Sequence, residues 1–387
     1  MRSSLLDYTA DQLLSEARSG YLCSYTYDGN GNRLTKTLNG VTDSYSYDDG
    51  DKLLAITRGG ATIKSFGYDA QGRTTSVTTS SGTTSLSYDF DDRVTGITYP
   101  NSTTNAFGYN ALDTRVSQTA GGSTKSYLRD GIGVTAPVLS DGSATFTPGV
   151  SVRSGGTSTF QASDRLGSFT AQTNAAQAVS ATREYDAFGN PLSSSGSPQG
   201  PFGFAGAWGY QEDVSGLQLL GHRYYDPSTG RFLTRDPIKD GRNWYGYCSN
   251  SPHRYVDPSG LSRLTWLYKL VDAAGDLIKW GITWNPGRRY TKKYLQEAEY
   301  TLEKDAVYDD RAIARADERM LVEETPGPLN REPWAGVREV GAALDPTPIG
   351  IAMEAGESFG KAIDPWVEEK KDQRSRALDW WLSDATE

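Results

Sequence analysis

The chain has 387 residues and a mass of 42.1 kDa, which is enough for two or three domains. Two cysteines and two histidines exclude a disulfide scaffold and a histidine-rich metal centre. The net charge of −9 argues against a surface that binds nucleic acid over its whole area. We find neither an apolar run long enough to predict a transmembrane segment nor a signal-peptide pattern in residues 1–20.

A sequence repeat with steps of 20 or 21 residues runs from residue 21 to about residue 116. Its central tyrosines are Tyr27, Tyr47, Tyr68, Tyr88 and Tyr109, and each is followed five or six residues later by Arg or Lys. Apolar and small polar residues alternate on both sides of an Asp- or Asn-containing turn, which predicts a β-hairpin in each unit. The fixed period predicts a stacked repeat architecture, and the alternative is a disordered Tyr/Gly-rich tract.

These Tyr-Asp-x-x-Gly-Arg units resemble the Rhs/YD-repeat proteins, which are related to teneurins and to the C component of insecticidal ABC toxins. The segments ASDRLGS and REYDAFGNPL share the resemblance, and the segments 216–238 and 243–261 resemble the Rhs-associated core. The resemblance implies a mainly β fold. We expect an N-terminal segment over residues 1–20, a partial β-hairpin shell over 21–180 and the core over 181–261.

The composition changes abruptly after the sequence Asp-Pro-Ser-Gly-Leu that ends at Leu261. Taken by itself, this sequence predicts a turn at the end of a domain. The family resemblance instead implies self-cleavage between Leu261 and Ser262 by an aspartyl-protease-like pair, Asp236 and Asp257, with Arg223 as the supporting cation. Two close carboxyl groups suit this chemistry because one stays protonated as an acid while the other activates water.

Residues 262–387 are expected to form a released C-terminal piece. Alternating residues predict strands over 264–271 and 276–283, joined by a hairpin turn. A helix is expected to begin near Asn285 and a second to run near 309–324. The apolar face of the second helix is predicted to contain Ala312, Ile313, Ala316, Met320 and Leu321.

This order of elements resembles the GIY-YIG nucleases, which implies a small α+β domain over residues 262–335. Residues 336–387 fit no motif of that family and are predicted to form an acidic helical extension. The resemblance implies catalytic roles for Tyr268, Lys279, Arg289 and Asn330, and a metal-binding role for Glu318. It also implies one Mg²⁺ or another divalent cation. Arg288, Lys292 and Lys293 are expected to bind nucleic acid, and the alternative is a solvated charged face. Core packing is the alternative explanation for Tyr268.

Together these resemblances imply a polymorphic toxin of bacterial competition, acting on nucleic acid with DNA favoured over RNA. They imply a cognate immunity protein and export from the bacterial cytoplasm, without a signal peptide, by a dedicated secretion machinery into a target cell. Two alternatives remain. The first alternative is a non-enzymatic YD-repeat surface protein that binds a partner. The second is an inactive remnant of a longer ancestor.

Overall fold

The computed structural model describes residues 5–9, 12–239, 241–261, 265–283, 290, 292–308 and 311–330. The chain divides into two compact units, Met1–Arg263 and Leu264–Glu387. Antiparallel strands dominate the described residues, so the mainly β fold that the repeats predict is confirmed. Within these residues, no helix has both the length and the apolar character needed to cross a membrane.

The first sheet of the first unit has thirteen strands, each paired with the next along the chain. They are β1 (Leu5–Thr9), β2 (Gln12–Arg18), β3 (Tyr21–Tyr27), β4 (Arg33–Leu38), β5 (Val41–Tyr47), β6 (Leu53–Arg58), β7 (Ala61–Tyr68), β8 (Thr74–Thr79), β9 (Gly82–Tyr88), β10 (Val94–Thr98), β11 (Thr104–Tyr109), β12 (Arg115–Ala120) and β13 (Ser123–Ser126). The five repeat tyrosines end alternate strands of this sheet, which confirms the predicted hairpin repeat.

Two further sheets complete the first unit. The eight-stranded sheet contains β14 (Leu128–Arg129), β15 (Val138–Ser140), β16 (Ala144–Thr147), β17 (Ser151–Ser154), β18 (Thr157–Ser163), β19 (Phe169–Thr173), β20 (Val179–Tyr185) and β21 (Pro191–Gly196). The four-stranded sheet contains β22 (Gln211–Glu212), β23 (Gln218–Leu220), β24 (Arg223–Asp226) and β25 (Arg231–Phe232). Short 3₁₀ turns lie at Gly206–Trp208 and Cys248–Asn250.

Each repeat tyrosine donates its hydroxyl to a backbone carbonyl that lies 14 or 15 residues earlier. The bonds run from Tyr27 to Leu13 (2.9 Å), Tyr47 to Arg33 (2.8 Å), Tyr68 to Leu53 (3.0 Å), Tyr88 to Thr74 (2.7 Å) and Tyr109 to Val94 (2.8 Å). A buried hydroxyl without a partner would cost free energy, so each bond fixes one hairpin against the hairpin before it. The tyrosine of the repeat is therefore a link between units.

The aspartate after each tyrosine closes the turn that follows. Asp69 Oδ1 accepts hydrogen bonds from the backbone N–H groups of Gln71 (3.1 Å) and Arg73 (2.9 Å). The same pair of bonds forms at Asp28, Asp48, Asp89 and Asn110. A short acceptor side chain is needed here because it must reach the backbone two and four residues ahead.

The basic residue of one unit reaches the tyrosine of the next. The guanidinium of Arg73 lies 5.1 Å from the ring centre of Tyr88, and that of Arg93 lies 5.2 Å from the ring centre of Tyr109. Arg73 also pairs with Asp92 at 3.1 Å. The spacing from tyrosine to arginine that recurs in the sequence therefore reports a contact between neighbouring hairpins.

Two domain limits of the sequence analysis differ from the strand pattern. Residues 1–20 contribute β1 and β2 to the repeat sheet, where Leu13 is buried with Cys23, Tyr25 and Phe188. The expected limit between residues 180 and 181 lies inside β20, so the eight-stranded sheet continues to Gly196. Strand pairing therefore extends beyond the points at which the clear tyrosine repeat and the later motif begin.

The second unit contains β26 (Thr265–Val271), β27 (Leu277–Thr283), α1 (Lys292–Glu297), β28 (Thr301–Tyr308) and α2 (Arg311–Glu324). The strands form one antiparallel sheet in the order β27, β26, β28. The hairpin and the second helix are as predicted. The sequence analysis missed β28, because the charged run Glu-Lys-Asp at 303–305 interrupts its apolar alternation.

The predicted inner face of α2 needs a correction. Met320 is 45% exposed, whereas Ala314 and Val322 are fully buried and pack with Leu267 and Trp280 of the sheet. The side chains of Ala312, Ile313 and Ala316 lie outside the described residues. Only Leu321 of the described residues predicted for this face packs on the core. The apolar stripe is rotated about the helix axis relative to the prediction, because charged residues leave few apolar positions in α2 to define it.

The link between repeats can be tested by replacing Tyr88 with phenylalanine. We expect Tyr88→Phe to lower the free energy of unfolding by about 1–3 kcal/mol, because the carbonyl of Thr74 loses its hydroxyl donor. Chemical denaturation of the full chain measures the difference. Phe90→Ala is the control in the same repeat, because Phe90 is fully exposed and its loss should change stability little. Equal stability of Tyr88→Phe and the unmodified protein would contradict the role of the hydroxyl.

Candidate functional site

The Asp-Pro-Ser-Gly-Leu sequence forms a tight turn that is buried in the first unit. Asp257 is 3% exposed and Ser259 is 4% exposed. Within the turn the N–H of Gly260 donates to the carbonyl of Asp257 at 3.2 Å, and the Ser259 carbonyl accepts the N–H of His222 at 2.8 Å. Gly260 has φ +70°, and a Cβ there would collide with the carbonyl of Leu220. The turn is therefore held between the backbone that precedes β24 and the interior.

Arg223, the first residue of β24, binds this turn with its guanidinium. Its Nε donates to the carbonyl of Gly260, its Nη1 donates to the carbonyl of Trp244 at 3.2 Å, and its Nη2 lies 3.8 Å from Asp257 Oδ2. The guanidinium also stacks 3.6 Å from the ring centre of Phe232. This buried cation contacts the carbonyl one residue before Leu261.

Asp236 is brought to the same place by the loop that follows β25. It is 4% exposed, its N–H donates to the carbonyl of Trp244 at 2.8 Å, and its Oδ1 accepts the N–H of Ile238 at 3.1 Å. Because Trp244 also accepts from Arg223, one carbonyl positions both residues. The structure therefore assembles Arg223, Asp236 and Asp257, which are distant in sequence.

The electrostatics of this cluster favour one retained proton. Burial raises the pKa of Asp257 to about 7, while Arg223 opposes the rise and the charge of Asp236 adds to it. The hydrogen bonds that the Asp257 carboxyl group accepts from the Ser259 hydroxyl and from the N–H of Leu261 also oppose the rise in its pKa. Burial also lowers the pKa of Arg223, although both carboxylates act in the opposite sense. One cation between two buried carboxyl groups leaves an excess negative charge, which a proton on Asp257 removes.

Tyr210 and Tyr247 support the backbone at Asp257. The N–H of Asp257 donates to the hydroxyl of Tyr210 at 2.6 Å, and the hydroxyls of Tyr210 and Tyr247 are 3.0 Å apart. Both tyrosines are fully buried. The sequence analysis missed these residues, because neither belongs to the tyrosine-aspartate pattern. Leu261 is half-buried at the end of the turn, and Ser262 lies outside the described residues.

In the second unit, Tyr268 lies at the centre of β26 opposite Gly281 of β27. Its side chain is fully buried, and a Cβ on Gly281 would collide with the tyrosine ring. The Tyr268 hydroxyl lies 3.5 Å from the hydroxyl of Tyr290, whose ring packs edge-on against it. The buried ring of Tyr268 therefore requires a glycine at position 281.

Glu318 lies on the sheet-facing side of α2. It is one helical turn from Ala314 and one turn from Val322, and both of these are buried against the sheet. Glu318 itself is half-buried. Of the neighbouring carboxylates, Asp317 accepts the hydroxyl of Tyr308 at 2.5 Å and Glu323 pairs with Arg319 at 2.7 Å.

Asn330 holds the strand that carries Lys279. Its Oδ1 accepts the N–H of Trp280 at 3.0 Å and its Nδ2 donates to the carbonyl of Trp280 at 3.1 Å. The same Oδ1 accepts the N–H of Gly327 at 3.3 Å. These bonds fix the Pro-Gly-Pro segment beside β27, and Lys279 is half-buried in that strand. The bonds of Asn330 are therefore made to the backbone of β27 and of the Pro-Gly-Pro segment.

The remaining nucleic-acid-binding candidates are less defined. Arg288 and Arg289 lie outside the described residues, as does the extension 336–387. Lys292 and Lys293 begin α1, and their side chains also lie outside the described part. Within the part of the chain that the structure describes, no group of three or more His, Cys, Asp or Glu residues could hold a metal ion. A single carboxylate such as Glu318 fits Mg²⁺, which retains water and binds phosphate oxygens for its other ligands.

The repeat region is similar to known proteins. Residues 7–137 match the family described as Teneurin YD-shell. The chain is similar to the toxin subunit YenC2 of Yersinia entomophaga, with 40% identity over 74 residues that are 18% of this chain and 8% of that protein. It is similar to the tRNA nuclease WapA of Bacillus subtilis, with 38% identity over 97 residues that are 23% of this chain and 4% of that protein.

A solved structure of a Tc holotoxin pore of Photorhabdus luminescens is also similar, at 16% identity and a TM-score of 0.46. That match covers 67% of this chain and 17% of the other. The chain thus spans less than a tenth of the length of the two curated relatives. The family match coincides with the sheet whose hairpins are linked by the repeat tyrosines. Residues 7–137 are therefore similar to a YD-repeat shell.

Proposed function

We propose that this chain is a YD-repeat polymorphic toxin that cleaves itself after Leu261 and so releases a C-terminal nuclease of the GIY-YIG type. The observation that carries the proposal is the buried cluster of Arg223, Asp236 and Asp257 around the Asp-Pro-Ser-Gly-Leu turn. The names of the curated relatives, a toxin subunit and a tRNA nuclease, support a toxin that acts on nucleic acid.

The proposed cleavage uses the two carboxyl groups in different protonation states. Asp236, as the carboxylate, accepts a proton from water, and the water oxygen forms a bond to the carbonyl carbon of Leu261. The C–N bond to Ser262 then breaks, and the Ser262 nitrogen takes the proton of Asp257. One proton passes overall from Asp257 to Asp236. Arg223 contacts the adjacent carbonyl of Gly260 and holds the peptide against the pair.

Removal of either carboxyl group tests this proposal. We expect Asp257→Asn and Asp236→Asn to leave the chain intact, because each change removes the acid or the base. Asp226→Asn is the matched control. Asp226 is also a buried aspartate before a proline, but its Oδ1 accepts the N–H of Ser228 at 2.8 Å in the turn between β24 and β25. Mass spectrometry of the purified proteins gives the result, and cleavage in Asp257→Asn would contradict the assignment.

The pH dependence of cleavage follows from the raised pKa of Asp257. Above about pH 7 the protonated fraction of this carboxyl group falls roughly tenfold for each pH unit, so the first-order cleavage rate should fall with it. The measurement follows intact and cleaved chain after dilution from denaturant into buffers of different pH. A rate that continues to rise through the alkaline range would show that Asp257 is not the proton donor.

The proposed nuclease lies C-terminal to the cut, in the released domain. When bound at Glu318, a divalent cation would supply positive charge to the scissile phosphate and the leaving oxygen. Tyr268 orients or deprotonates the attacking water with help from Lys279, and Arg289 neutralises charge on the phosphate. Arg288, Lys292 and Lys293 bind the nucleic-acid backbone. The proposed toxin further requires an immunity protein in the producing cell and a secretion machinery for delivery.

Glu318 is the residue whose loss tests the nuclease. We expect Glu318→Gln to lower the Mg²⁺-dependent cleavage of DNA or RNA by the purified protein about a hundredfold or more, and to abolish growth arrest when the chain is expressed in a bacterium. Glu323→Gln is the matched control on the same helix, where the native carboxylate pairs with Arg319. Growth arrest that persists in Glu318→Gln, with intact nucleic acid, would favour the partner-binding alternative.

A further inference from the structure

Ser259, the third residue of the Asp-Pro-Ser-Gly-Leu turn, connects the two ends of the turn through its hydroxyl. Its Oγ donates to Asp257 Oδ1 at 3.3 Å and accepts the N–H of Leu261 at 3.2 Å. The first partner is a carboxyl group of the proposed pair. The second belongs to the residue whose carbonyl carbon would be attacked. One side chain therefore contacts both the acid and the substrate of the proposed reaction.

The backbone of Ser259 is fixed independently of this hydroxyl. Its carbonyl accepts the N–H of His222 at 2.8 Å, and a Cβ on Gly221 would collide with that same carbonyl. Because the main chain is held in this way, the hydroxyl is a rigid point from which Asp257 and Leu261 are both oriented. Loss of the hydroxyl should change the orientation of these groups more than the path of the chain.

The same turn occurs a second time, at residues 213–217, with the sequence Asp-Val-Ser-Gly-Leu. Ser215 Oγ donates to the carboxylate of Asp213 and accepts the N–H of Leu217 at 3.2 Å. The N–H of Gly216 donates to the carbonyl of Asp213 at 3.0 Å, as Gly260 does to Asp257. This copy is more exposed than the turn at 257–261, because Val214 is 78% exposed and Asp213, Ser215 and Leu217 are half-buried.

Comparison of the two turns distinguishes the effect of the serine hydroxyl on the turn itself from the effect of the groups around the turn. Both make the same serine bonds, but the turn at 257–261 is buried beside Arg223 and Asp236. The turn at 213–217 therefore measures what a serine hydroxyl contributes to the stability of this conformation. Any larger effect of the hydroxyl at Ser259 must come from the groups around it.

We propose that Ser259 is a positioning residue for self-cleavage, whose hydroxyl ties the carboxyl group of Asp257 to Leu261 at the bond that is cut. The inference rests on the proposed self-cleavage. Ser259 forms no bond to the reacting atoms. It holds the acid and the attacked residue in one fixed relation, so that the proton of Asp257 is delivered to the departing nitrogen.

The hydroxyl of Ser259 also affects the titration of Asp257. The charged groups that act on this carboxyl are Arg223 from β24, which lowers its pKa, and Asp236 from the loop after β25, which raises it. Against the dominant effect of burial, the hydrogen bond from Ser259 lowers the pKa. Without the hydroxyl the pKa should rise, so the protonated acid should persist to higher pH.

The test uses the full chain in a Glu318→Gln background, recovered unfolded in urea and diluted into buffers on both sides of neutral pH. We expect Ser259→Ala to cleave about tenfold more slowly on the plateau, the cost of one hydrogen bond to a polar group. We also expect the alkaline limb of its pH profile to move to higher pH. Ser259→Thr keeps the hydroxyl and should keep the original limb.

Ser215→Ala is the matched control, because it removes the same pair of bonds from the other turn. It should cleave at the unmodified rate with the unmodified limb. Ser259→Ala that is slower at every pH without a displaced limb, or that matches Ser215→Ala, would overturn the positioning role while leaving self-cleavage in place. A displaced limb in Ser259→Thr would overturn it as well. An unmodified chain that stays intact would overturn both the inference and the proposed function.

Discussion

The hydrogen bond from each repeat tyrosine to a carbonyl of the preceding unit is the interaction on which the first unit depends. It sets the distance between neighbouring hairpins, and the aspartate that follows closes the turn from which the next strand departs. The arginine of the same unit then covers the next tyrosine, as Arg73 covers Tyr88. Each spacing that recurs within the repeat thus corresponds to one physical contact between neighbours. Stability in such an array comes from the links between units.

The same arrangement positions the candidate cleavage site. The four-stranded sheet packs on the repeats through Leu219 and Tyr224. These residues, with Leu233 just after β25, share a core with Ile97 and Phe107. Tyr224 follows Arg223 in β24, and successive side chains of a strand point to opposite faces. The packing of Tyr224 on the repeats therefore directs Arg223 to the other face of β24. The burial that raises the pKa of Asp257 is therefore a consequence of the core, which the first unit provides.

Much of this could be predicted from the sequence, because period and alternation are local signals. The hairpins, the turn at Asp272 and the helix α2 all follow from such patterns. Strand β28 could not be predicted in the same way, because its charged residues obscure the alternation. The roles of Tyr210 and Ser259 also escaped the sequence analysis. Tyr210 contacts the backbone of Asp257 from a distant segment of the chain, and a single sequence contains no signal for such a contact. The bonds of Ser259 are local, and they recur in the Asp-Val-Ser-Gly-Leu sequence at 213–217. The bonds of Asn330 to Trp280 are likewise visible only in three dimensions.

The central claim is that the buried carboxyl pair cuts the chain at the end of the turn. The most direct measurement is the intact mass of the unmodified protein together with the N-terminal sequence of its smaller fragment. We expect two chains, one ending at Leu261 and the other beginning Ser-Arg-Leu-Thr from Ser262. A single species of 42.1 kDa, or a fragment that begins at any other residue, would contradict the account.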